Sequence, residues 1–163
     1  MGAIDTLLDN NAKYAAKFSK ADLPVPPAKK IAIVTCMDAR LETGALFGIE
    51  EGDVHVIRNA GGVVTDDVIR SLTISQRLLG TREIMLVKHT DCGMLRFTDA
   101  ELKETIQRET GVRPPFAIDT FSDPEVEVKQ SIARIQASPF LLHKDAIRGF
   151  MYEVETGRLR EVG

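Results

Sequence analysis

The chain has 163 residues, 44% of them hydrophobic and 28% charged, which suits one soluble globular domain. With 21 Lys and Arg against 24 Asp and Glu the formal net charge is −3. There is no basic run either, so nucleic acid is excluded as a partner, because phosphate neutralisation supplies most of that affinity. Apolar stretches such as Ile31-Ala32-Ile33-Val34 are too short to cross a bilayer, and the N-terminus lacks the basic start and apolar core of a secretory signal. Two cysteines are too few for a disulfide scaffold, and the expected compartment is the reducing cytoplasm.

Residues 3–19 place Ile4, Leu7, Leu8, Tyr14, Ala15 and Phe18 at helical spacing and predict an amphipathic helix. Leu23-Pro-Val-Pro-Pro27 ends it and is the one linker, dividing the chain into residues 1–27 and a main unit of residues 28–163. A helix tethered in this way needs a surface to pack on, either its own domain or a second subunit. Ile31-Ala-Ile-Val-Thr-Cys36 reads as a buried parallel strand. Val54-His-Val-Ile-Arg58 is a second strand, and the loop Asn59-Ala-Gly-Gly62 follows it. Thr65-Asp-Asp67 caps a helix to about Leu79, with Gly80 as its stop. Glu83–Lys88 is a third strand; Thr98 and Glu101 form a capping box for a helix to about Glu109. Asp123-Pro124 opens a helix to about Ala137. Arg148–Val154 and Arg158–Val162 are closing strands joined by a turn at Glu155-Thr-Gly157. Strands alternating with helices predict an α/β fold with a mainly parallel sheet flanked by helices.

Two of these strands end in reactive side chains. The first runs into Cys36-Met37-Asp38-Ala39-Arg40 and the third into His89-Thr90-Asp91-Cys92-Gly93. The carboxyl ends of strands are where open α/β sheets collect ligands. Cys36, His89 and Cys92 are zinc-preferring donors, one short of a closed structural site, which leaves a fourth position for water or for Asp38. Zinc in such a site lowers the pKa of bound water from about 15.7 towards about 7. Asp38 and Arg40 point the same way from an extended segment. A carboxylate clamped by a guanidinium stays ionised and acts only as an acceptor, so it accepts the hydrogen bond of a zinc-bound hydroxide and aims its lone pair. Released by Arg40, Asp38 would swing onto the zinc and close the site.

The pair Cys36-Met-Asp-Ala-Arg40 and His89-Thr-Asp-Cys92-Gly93, with Val56-Ile-Arg-Asn-Ala-Gly61 between them, resembles the β class of carbonic anhydrases over nearly the whole chain. The resemblance implies one Zn2+ per subunit on Cys36, His89 and Cys92, with Asp38 and Arg40 as the catalytic dyad. It also implies reversible hydration of CO2 to bicarbonate, and a homodimer or dimer of dimers in which the N-terminal helix packs across the partner. Residues 1–27 would then be the dimerisation helix with its linker, and residues 28–163 the catalytic domain. The chain has no Trp, so the Trp/Arg/Tyr arrangement that binds inhibitory bicarbonate in some longer relatives is incomplete. The rivals are a carbonyl sulfide or carbon disulfide hydrolase of the same fold and a non-catalytic zinc or thiol module. Gly61, Val63, Val64 and Gly93, with apolar residues from the partner subunit, are the expected pocket residues. His55, alternating with Val54 and Val56, is expected at the surface, and His143 in packing or at the surface. Arg58 either pairs with an acid or lines the site. Gly61 and Gly62 permit tight backbone near the metal, and Gly93 lets the following segment turn close to it.

Overall fold

The computed structural model describes residues 2–163. Strand β1 (Ile31–Cys36) lies between β2 (His55–Asn59) and β3 (Glu83–His89), followed by β4 (Ile147–Glu153) and β5 (Arg158–Glu161), in the order β2-β1-β3-β4-β5. The first four strands are parallel, and β5 folds back antiparallel on β4. From β1 the chain moves outward to β2 and then crosses to β3 on the other side. The strand order therefore reverses at β1 and β3, which opens a crevice beyond their carboxyl ends.

Helix α1 is Ala3–Ala15; α2 is a single turn, Thr43–Phe47; α3 is Asp66–Arg77, α4 Asp99–Thr110 and α5 Pro124–Ala137. Their starts follow the capping residues. Thr65 accepts from the Val68 amide, Thr98 and Glu101 complete a capping box, and Asp123 accepts from Glu125 and Val126 ahead of Pro124. The main core joins Ala32, Val34, Ile84 and Leu86 of the sheet to Val68 and Leu72 of α3 and Ile135 of α5. Each fully buried aliphatic side chain there contributes about 1.5–3 kcal/mol. A second apolar cluster gathers Cys36, Leu41, Cys92 and Met94 with Phe97, Ile118 and Phe121 at the crevice.

Two features differ from expectation. His55 is half-buried, not at the surface, and its Nδ1 lies 2.7 Å from the Ser75 hydroxyl of α3. Period-2 alternation puts His55 on the same side of β2 as Ile57, which packs on the core, and turns Val56 outward. Helix α1 is shorter than its apolar pattern and has no buried residue, with Ile4, Leu7 and Leu8 all exposed. Its tie to the body is the Tyr14 hydroxyl donating to Glu51 Oε1 at 2.5 Å, beside a Lys20–Glu51 ion pair.

Candidate active site

β1 and β3 run parallel as neighbours and end in Cys36 and His89, which places both at the head of the sheet, and the turn after β3 adds Cys92. The two Sγ atoms and one imidazole nitrogen lie within 4.8 Å of one another, and all three residues are buried. His89 Nδ1 is turned to the Thr90 carbonyl at 2.8 Å. That contact fixes the tautomer with the proton on Nδ1, leaving the Nε2 lone pair for the cluster. His89 Nε2 is buried without a hydrogen-bond partner, the state of a nitrogen shaped to ligate a metal. The hydrogen bond between the sulfurs lowers Cys36 and raises Cys92, so the pair shares one proton. The amides of Asp38 and Gly61 further favour the Cys36 thiolate.

Asp38 is locked on Arg40: Oδ1 accepts from the Arg40 amide at 2.9 Å and Nε at 3.0 Å, and Oδ2 from Nη2 at 2.8 Å. The guanidinium and amide hold the Asp38 carboxyl well below the usual carboxylate range. Its Oδ2 stands 3.8 Å from His89 Nε2, so the carboxylate faces the cluster while remaining on Arg40. Arg40 is braced in turn by Asp91, whose Oδ2 accepts at 2.9 Å and whose carbonyl accepts at 3.0 Å; Arg96 holds the other Asp91 oxygen at 2.6 Å. Arg58 settles between its two expected roles by neither route. Its Nε donates to the Cys36 carbonyl at 3.0 Å and its Nη2 to the Asp38 carbonyl at 2.7 Å, so it fixes the backbone that carries donor and dyad.

An apolar cleft of about 510 Å³ opens beside these groups, lined by Cys36, Asp38, Gly61, Gly93, Met94 and Phe97 with the roof Phe116–Ile118. Gly61 and Gly93 are among the residues that line this cleft, whereas Val63 and Val64 line another. The turn Ala60–Gly62, closed by two hydrogen bonds between Asn59 and Val63, carries Val63 and Val64 behind the site, onto a separate cavity with Phe121 and Glu127. The roof is anchored by Asp99, which accepts from the amides of Ile118, Asp119 and Thr120 and from the Thr120 hydroxyl. These bonds, Thr120's first, hold the Asp99 carboxyl down at about 2. A Cβ at Gly93 would meet nothing within 4 Å, so the turn there does not depend on glycine.

A family model described as carbonic anhydrase matches residues 31–115. The chain is 57% identical over 162 residues to beta-carbonic anhydrase 1 of Mycobacterium tuberculosis, covering 99% of each. The chain belongs to the β-carbonic anhydrase family. The solved carbonic anhydrase of Streptococcus mutans superposes with a TM-score of 0.94 at 44% identity, covering 100% of this chain and 99% of that one. A carbon disulfide hydrolase of Acidianus sp. is 34% identical over 182 residues, covering 97% of this chain and 88% of its own. The cofactor of a β-carbonic anhydrase is zinc, and the cluster fits it: two thiolates and a neutral imidazole, with a buried lone pair left over for the metal.

Proposed function

We propose that the chain catalyses the reversible hydration of CO2 to bicarbonate and a proton, with zinc held by Cys36, His89 and Cys92. The observation that carries this reading is the Asp38 carboxylate, clamped by Arg40 and facing the His89 nitrogen at 3.8 Å. Neither a structural zinc site nor a thiol sensor needs an ionised acceptor there. Bound zinc supplies a Lewis acid that lets water ionise near neutral pH.

Asp38, with no proton of its own to give, would accept a hydrogen bond from the remaining O–H of the nucleophile and so aim its lone pair into the cleft. Arg40 keeps Asp38 an acceptor and off the metal, and Asp91 holds Arg40. The apolar walls at Met94, Phe97 and Ile118 receive CO2, which carries no charge, and exclude competing water. Each hydration releases one proton to solvent. The 34% identity to a carbon disulfide hydrolase supports one alternative, that the same donors act on CS2 or carbonyl sulfide.

Residues 1–27 serve as an assembly arm and residues 28–163 as the catalytic unit of a cytoplasmic homodimer or dimer of dimers. The support is α1, whose Ile4, Leu7 and Leu8 are 63–73% exposed and find no cover among the described residues. Among those residues no helix is long and apolar enough to cross a membrane.

Stopped-flow CO2 hydration on protein of measured zinc content tests the assignment, with CS2 turnover in parallel. Hydration proportional to zinc is expected, falling about 10²-fold or more in Asp38→Ala with zinc retained. Near-normal hydration by that variant would sink the role of the dyad. CS2 turnover without hydration would transfer the function to the sulfur substrates.

A further inference from the structure

Strand β3 carries a lysine into the interior. Lys88 is 1% exposed, a burial that lysine tolerates only when fully partnered. Its Nζ donates to the carbonyl oxygens of Gly61 at 2.8 Å and Gly62 at 2.7 Å. Glu127 of α5, itself 8% exposed, pairs with it, and the Phe121 ring lies 5.2 Å away. The other Glu127 oxygen accepts from the Ser131 hydroxyl at 2.9 Å.

Stability alone does not account for such a pair, because two apolar side chains of similar volume commonly hold a core as well or better. What the ammonium does is hold two consecutive carbonyls. They belong to residues at φ 75° and 59°, which glycine alone adopts readily. A Cβ on Gly62 would stand 2.7 Å from the Thr35 carbonyl carbon and 2.8 Å from the Cys36 amide nitrogen, so the turn lies directly against the end of β1. With their carbonyls anchored on Lys88, Gly61 and Gly62 are held against the end of β1, and Ala60 and Gly61 wall the cleft beside Cys36. Among the described residues nothing else pulls this turn inward from behind; Asn59 closes it only across its base.

We propose that Lys88, held in place by Glu127, is a positioning residue that clamps the Gly61–Gly62 turn from behind and through it fixes the end of β1 that carries Cys36 and the adjoining cleft wall. The inference rests on the zinc reading above, extending it to a pair that touches neither metal nor substrate.

The test is the joint replacement Lys88→Met with Glu127→Leu, which leaves no lone buried charge. Its readouts are thermal melting, the thiolate-to-metal charge-transfer band of the Co2+-loaded protein, Co2+ affinity by chelator competition, and kcat and KM for hydration. We expect melting close to the parent's, a displaced cobalt band, and losses of about tenfold in metal affinity and kcat/KM, as outer partners of metal ligands usually cost. A parental band with parental affinity and kcat/KM would overturn the proposal. Should the joint variant fail to fold, Glu127→Gln decides, since it keeps the shape and the Ser131 bond: a displaced band supports the clamp, and parental behaviour in every readout overturns it. Lys88→Arg, which keeps a buried cation beside the carbonyls, should recover part of the loss. Absence of the cobalt band in the parent would end the zinc reading itself, and the clamp with it.

Discussion

Helix α1 and the 36–40 segment are opposite kinds of structure. In α1 no residue is buried and three large aliphatic side chains face outward, while its tie to the body is polar. In the segment that follows β1, nearly every polar group has an assigned partner: Asp38 on Arg40, Arg40 on Asp91, and the Cys36 and Asp38 carbonyls on Arg58. The helix is amphipathic and uncovered within its own chain, whereas the 36–40 segment is partnered down to its backbone carbonyls. Preorganisation thus belongs to the segment that carries the donors, and uncovered apolar surface to the helix that lies outside it.

Several substitutions would break or sharpen this contrast. Cys92→Ser should have the largest effect, abolishing zinc retention and lowering hydration by more than about 10³-fold, read by metal analysis and stopped flow. Next comes Arg58→Leu, which leaves every donor in place and frees the carbonyls they hang from. It should cost about tenfold in kcat and leave zinc bound, and an unchanged kcat would show that the backbone holds its shape without the guanidinium. Asp99→Ala unties the roof at residues 118–120 and should cost about 1–2 kcal/mol of stability by denaturant melts near neutral pH. The sign with acid follows from the depressed carboxyl. Its folded pKa is about 2 against about 3.9 in an unfolded chain. The stabilisation is therefore full above about pH 4 and lost as pH falls towards about 2, where the gap between parent and variant should close. Leu8→Asp should change the site least. Zinc content should hold at the parental level while the sedimenting mass falls, and an unchanged mass would remove α1 from the assembly.

The sequence displayed the donors and the dyad because each motif sits within a few residues at the end of a strand, and the capping residues marked three helix starts. Features set by distant partners were harder to read. His55 follows strict alternation, but alternation does not say which face of an edge strand meets the core, and Ile57 decides that only through α3. Val63 and Val64 were natural pocket residues from their place after Gly62, yet the two positive φ angles turn the chain behind the site. Arg58 offers its guanidinium to carbonyls 20 and 22 residues away, which leaves no local signature. Lys88 did leave a signal, a charge directly after the apolar run Ile84–Val87 and within the same strand. The short turn α2 has too few residues for any periodicity to show.

The dependence of Lys88 on Glu127 also sets an order of events during synthesis. β1, β2 and β3, with all three zinc donors, leave the ribosome well before α5. Until α5 arrives, Lys88 has no counter-ion and stays in water, so the Gly61–Gly62 turn lacks the cation that pulls it inward. At about 5–20 residues per second, Glu127 follows Lys88 by some seconds. The turn behind Cys36 is therefore unclamped until the last helix of the chain docks, and the back of the centre is finished by residues made after its front.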